Sequence, residues 1–131
     1  MSKIAILNDT HAGIKNGSDI FLKYSGKFFD EVFFPYCLEN DIKKIIHLGD
    51  YFDHRKFVNY KVLDHCYQTF ISKLYEYDMT MDIIPGNHDV YWKNTNSLNS
   101  LEQLLGQYDR INIHMKPNTK EFDGLKIGML P

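Results

Sequence analysis

Short isoleucine-rich runs that recur between segments of helical period restrict the folds open to this chain more than any other feature. KIAIL (3–7), KIIHL (44–48), MDIIP (81–85) and INIHM (111–115) are too short for helices and rich in β-branched residues, the pattern of strands buried on both faces. Between them, residues 60–77 place Leu63, Cys66, Tyr67, Phe70, Ile71 and Leu74 on one helical face, with Asn59 as N-cap. Residues 19–40 predict a helix with Phe21, Tyr24, Phe28, Val32 and Tyr36 along one apolar stripe, its last turn kinked or frayed by Pro35. Residues 97–105 predict a third, with Leu98, Leu101, Leu104 and Leu105 as the apolar face and Asn99 and Glu102 at capping-box spacing. A hairpin turning at Asp123-Gly124 follows. Strand and helix alternate, which points to an α/β fold whose largely parallel sheet is built from right-handed βαβ units.

At 131 residues the chain fits one domain, and 44% hydrophobic content supports a packed core. Fifteen basic against 17 acidic residues leave a formal charge of -2, which excludes a broadly basic nucleic-acid-binding surface. A phosphate partner must then be held locally, or through metal. Cys37 and Cys66 fall in helical segments without CxxC spacing, so free thiols in a reducing compartment are expected rather than a disulfide. The first strand starts at Lys3, leaving no room for a signal peptide, and no apolar run approaches the ~20 residues of a membrane span. The expectation is a cytoplasmic protein with no membrane partner.

Three polar clusters directly follow the first three strands: NDTH (8–11), GDYFDHR (49–55) and GNHD (86–89). In a parallel sheet the carboxyl ends of strands share one edge, where ligands bind, so Asp9, His11, Asp50, Asp53, Asn87, His88 and Asp89 should meet there. Carboxylate with neutral imidazole suits manganese, iron or zinc better than calcium or magnesium, and the lack of thiolates argues against a structural zinc site. Gly49 and Gly86 allow close backbone approach where each strand hands over to its loop. Each motif alone has a bland reading. Asp9 can cap a turn beside a solvated His11, GDYFD can be a turn with a carboxylate N-cap, and Gly, Asn and Asp are all turn formers. Their shared order behind three strands favours a catalytic metal site. Of the remaining histidines, His47 and His114 read as core residues within strands, His65 lies beside the apolar face of its helix, and His54 is a loop residue placed to touch substrate.

Asp-x-His, Gly-Asp-x-x-Asp and Gly-Asn-His-Asp, each behind a strand, resemble the calcineurin-like metallophosphoesterase superfamily. DTHAGIK (9–15), GDYFDHRK (49–56) and GNHDVYWKN (86–94) are similar to its SbcD/Mre-type double-strand-break nuclease branch, and within that to the nuclease subunits of T-even phage recombination endonucleases. The resemblance implies the N-terminal half of a helix-flanked β-sandwich and two divalent metal ions, manganese first, with iron, zinc or magnesium as alternatives. It implies Asp9 and His11 on the first metal, Asp50 as the bridge and Asn87 on the second, with His88 as general acid beside the scissile phosphate and Asp53 orienting its imidazole. His54, Arg55 and Lys56 would contact the DNA substrate. An SbcC/Rad-type ATPase subunit and a homodimer are the partners it implies for the full-length protein.

In the complete family a Gly-His and a Gly-His-x-His motif on later strands finish the metal shells, and this chain contains neither. His114 lies too early to replace them. The sequence thus reads as the N-terminal portion of a metal-dependent DNA nuclease, with metal binding and hydrolysis weak or absent in isolation. Two alternatives remain at this point: a phosphoesterase acting on small phosphodiesters or phosphoproteins, or a non-catalytic assembly module. Protein phosphatases typically continue Gly-Asp-x-x-Asp with Arg-Gly, whereas His54-Arg55 stand here.

Overall fold

Four parallel strands form the central sheet in the order β1 (Ile4–Leu7), β2 (Lys44–His47), β3 (Thr80–Ile83), β6 (Ile111–Ile113). The computed structural model describes residues 3–53, 58–86, 90–92 and 95–131, with the backbone alone at 16, 90–92, 95–100, 102 and 103. Between β1 and β2 run α1 (Ile14–Gly17), α2 (Asp19–Phe28) and α3 (Phe34–Glu39); between β2 and β3 run α4 (Tyr60–Cys66) and α5 (Ser72–Glu76). Asn59 caps α4 as its residue type predicts, accepting from Val62 N–H at 2.9 Å. Ile45, Met81 and Ile83 point from one sheet face into the main core, against Phe29, Phe33, Phe34 and Phe70. The Phe29 and Phe70 rings meet edge-on, centroids 5.0 Å apart. On the other face Ile46 packs against Phe122 and Met129 of the hairpin β7 (Asn118–Phe122) and β8 (Leu125–Met129). That hairpin turns through Asp123 (φ 50) and Gly124 (φ 92), the two left-handed residues its Asp-Gly signal requires.

Three expectations about helices are corrected. The stripe Phe21, Tyr24, Phe28, Val32, Tyr36 is 44–65% exposed, while Leu22, Phe29, Phe33 and Cys37 are buried. Both stripes have helical period, and they lie one residue apart. Pro35 does not fray the end: a π-helical turn (Phe29–Phe33) precedes it, and Phe34 N–H donates to Phe29 O, five residues back. The wider turn accommodates the proline ring, and the helix continues to Glu39. A second π turn, Tyr67–Ile71, joins α4 to α5. In the third predicted helix only α6 (Ser100–Leu105) is helical. The preceding residues form β5 (Thr95–Asn99), antiparallel to β4 (Val90–Trp92), where the ladder satisfies their backbone groups.

Candidate metal centre

Hydrogen bonds extend the β1–β2 pairing past the strand ends. Leu48 N–H donates to Leu7 O at 3.0 Å, Asp9 to Gly49 O at 3.2 Å, His11 to Asp50 O at 3.0 Å and Ala12 to Tyr51 O at 2.6 Å, while Asp53 N–H returns to Ala12 O at 2.9 Å. The turn after β3 joins them by contact. A Cβ built on Gly49 (φ 111) would lie 2.7 Å from Gly86 N, so the two loops touch backbone to backbone where only glycine fits.

Asp9 (φ 50), His11 (φ 46) and Asp50 (φ 55) all adopt left-handed backbones. For an L residue this costs about 1 kcal/mol, and Asp and His are among the types that tolerate it best. The strain turns three side chains toward one point: one ligand atom from each of Asp9, His11 and Asp50 lies within 4.8 Å of the others. His11 Nε2 is 3.8 Å from Asp9 Oδ1 and 4.0 Å from Asp50 Oδ2. Ligands bonded at ~2.1 Å to one cation lie at most about twice that apart, so both His11 separations fit a shared divalent ion. Asp53 Oδ1 lies 3.1 Å from His11 Nδ1, which directs the other ring nitrogen at the two carboxylates. The set of two carboxylates and an oriented imidazole fits a catalytic rather than a structural cation.

From Asp9 and His11 a cavity of about 550 Å³ extends along Phe21, Tyr24 and Phe28. At its far wall burial pushes the Cys66 thiol up to about 12, with a smaller lowering by its hydrogen bond to Tyr51, which disfavours the thiolate there.

Residues 2–128 match the family model for calcineurin-like phosphoesterases. The chain belongs to that family. It is also similar to exonuclease subunit 1 of Enterobacteria phage T4, 32% identical over 131 residues that cover 98% of this chain and 38% of that protein. This phosphoesterase chain therefore spans less than two fifths of the length of that curated relative.

Of the residues singled out from the phosphoesterase sequence, Asp9, His11, Asp50 and Asp53 come together. Asn87, His88 and Asp89, with His54, Arg55 and Lys56, lie outside the described residues, as does the contact expected between Asp53 and His88. The bond from Asp53 to His11 was not anticipated, since nothing in the spacing of two residues 42 apart marks it. No helix among the described residues is long and apolar enough to cross a membrane. The thiols of Cys37 and Cys66 are free and buried, as expected.

His47 and His114 have the packed or bonded surroundings expected of core histidines: His47 is fully buried, and His114 Nε2 lies 2.7 Å from Asp82. Burial, partly offset by the Asp50 charge and reinforced by that of His11, lowers the His47 pKa to about 4. Between the ordinary value near 6.5 and 4, the unfolded chain takes up a proton that the folded chain refuses. The associated stability is complete above pH 6.5 and is lost as pH falls toward 4, on the order of 3 kcal/mol in all. Urea unfolding at pH 7 and pH 4.5 should therefore differ less in His47→Gln than in the wild type. An unchanged pH dependence would remove His47 as its source.

Proposed function

We propose that this chain carries part of the site of a divalent-cation-dependent phosphodiesterase acting on DNA. The convergence of Asp9, His11 and Asp50 at one sheet edge is the observation that carries the reading. Asp9, His11, Asp50 and Asn87 would hold two cations, manganese before iron, zinc or magnesium, with Asp50 shared. Once bound, such cations polarise phosphoryl oxygens, supply a nucleophile from water at neutral pH and offset the charge of the transition state. Asp53 holds the His11 ring so that Nε2 faces the carboxylates. His88, next in sequence to Asn87, would keep a proton near neutral pH and pass it to the departing ester oxygen. His54, Arg55 and Lys56 would position the DNA backbone. The aromatic cavity beside Asp9 suits a nucleoside better than a small, fully hydrated alcohol, and the similarity to a phage exonuclease subunit favours nucleic acid.

We read the 131 residues as the N-terminal portion of the phosphoesterase domain, completed in the full-length protein by later histidine motifs and working there with a coiled-coil ATPase subunit. With manganese present, that protein is expected to cleave duplex DNA, and the 131-residue chain to bind the ion weakly with little turnover. Incubation with duplex DNA and, separately, with a small chromogenic phosphodiester tests the reading. Hydrolysis of the small ester alone would sink the nuclease, and no cation binding by the full-length protein would leave an assembly module.

A further inference from the structure

The last residue of β2, His47, is fully buried and bonded at both ring nitrogens. Gly49 N–H donates to Nδ1 at 3.1 Å, so that nitrogen carries no proton. The ring is neutral, so Nε2 carries the hydrogen and donates it to Thr10 Oγ1 at 3.0 Å. The Thr10 hydroxyl in turn donates to Tyr51 O at 3.2 Å. Every proton in the chain Gly49, His47, Thr10, Tyr51 thus has one direction, and an imidazolium would set a second N–H against Gly49 N–H. The Tyr51 ring, 5.3 Å from the imidazole centroid, closes its side.

Thr10 stands between Asp9 and His11, and Gly49 and Tyr51 flank Asp50. We infer that half-buried Thr10 and fully buried His47 form a strut that fixes the separation of the Asp9–His11 turn from the Asp50 turn, making both positioning residues for the cation site. The inference rests on the metal reading of Asp9, His11 and Asp50. Those turns need holding: each of the three residues has a strained left-handed backbone, and two carboxylates face one another across an imidazole. Backbone bonds zip the turns edge to edge, and the strut ties them through the core beneath. It also dictates residue type. At 10 the side chain must both accept and donate a hydrogen bond, as Thr and Ser do; at 47 it must accept from Gly49 and donate to a hydroxyl, which a neutral imidazole does with its two nitrogens.

Thr10→Val keeps the shape and removes the hydroxyl, whereas Thr10→Ser keeps the hydroxyl. Titration with Mn²⁺ should show affinity about 10- to 100-fold weaker in Thr10→Val, the usual effect of losing a partner behind the ligands, and within about threefold of wild type in Thr10→Ser. Phe122→Leu, on the opposite sheet face, controls for stability: it should lower the melting temperature and leave Mn²⁺ affinity unchanged. Thr10→Val binding Mn²⁺ like wild type, whatever its melting temperature, overturns the inference. If wild type binds no Mn²⁺ the metal reading fails, and the strut is judged by amide hydrogen exchange. The His11 and Ala12 amides should then exchange at least tenfold faster in Thr10→Val but not in Thr10→Ser, and wild-type rates in Thr10→Val would dismiss the strut as well.

Discussion

A single methyl group at position 86 is expected to remove the cation site. The Cβ of Gly86→Ala would overlap Asp50 Oδ1 and lie 2.6 Å from Asp50 N and 2.8 Å from its Cγ. The carboxylate could swing away, but the backbone nitrogen could not, and neighbouring Gly49 is also close-packed against Gly86. Relief therefore requires the turns after β2 and β3 to part by roughly 1 Å, far more than a cation shared by side chains on different loops tolerates. We expect Mn²⁺ affinity to fall more than 100-fold, with a loss of about 2–3 kcal/mol in stability from overpacking. Parallel Mn²⁺ titration and urea unfolding check both parts. Wild-type Mn²⁺ affinity in Gly86→Ala would mean that the close approach of these loops is irrelevant to the site.

That close approach was legible in the sequence, and it shows which kind of information a single chain carries. Glycines at 49 and 86, each directly behind an isoleucine-rich run, mark places where backbone must meet backbone. Parallel strands ending at one edge do the rest, bringing Asp9, His11 and Asp50 together across more than 40 residues of chain. The hairpin at Asp123-Gly124 and the cap at Asn59 were legible for the same local reason: one residue type suits one backbone geometry. What failed depends on distant partners. The helical run of residues 19–39 carries two apolar stripes of equal period, and only the position of Phe70 and the sheet decides that Phe29 and Phe33 turn inward rather than Phe28 and Val32. The π turns escaped because shifting a hydrogen bond by one residue leaves composition and approximate period intact.

Asp82 is the plainest case of a distant partner, and its surroundings predict an asymmetric pair of stability effects. Asp82 is 1% exposed in a central strand, level with Ile46 on the face that the β7–β8 hairpin covers, and nothing beside it in MDIIP marks which residues meet its carboxylate. Its charge is met by Lys120 of β7, with Nζ 2.6 Å from Oδ1, and by His114 Nε2 at 2.7 Å from the same oxygen. Lys120 Nζ also lies 5.4 Å from the centre of the buried Phe122 ring, a cation–π contact that holds the ammonium over the hairpin's apolar anchor. Lys120→Met strips the carboxylate of its full positive partner while leaving it in the interior. Breaking a buried pair from one side costs about 3–5 kcal/mol, and we expect about 3 here because His114 still donates. Adding Asp82→Leu removes the stranded charge and supplies apolar surface beside Ile46 and Phe122. The double variant should therefore regain at least half of what Lys120→Met alone loses, although it carries one more substitution. Urea unfolding of the wild type, the two single variants and the double variant closes the cycle. Two losses that simply add would show that Lys120 and Asp82 act separately, and that the hairpin is held to the sheet by Phe122 and Met129 without help from the buried charge.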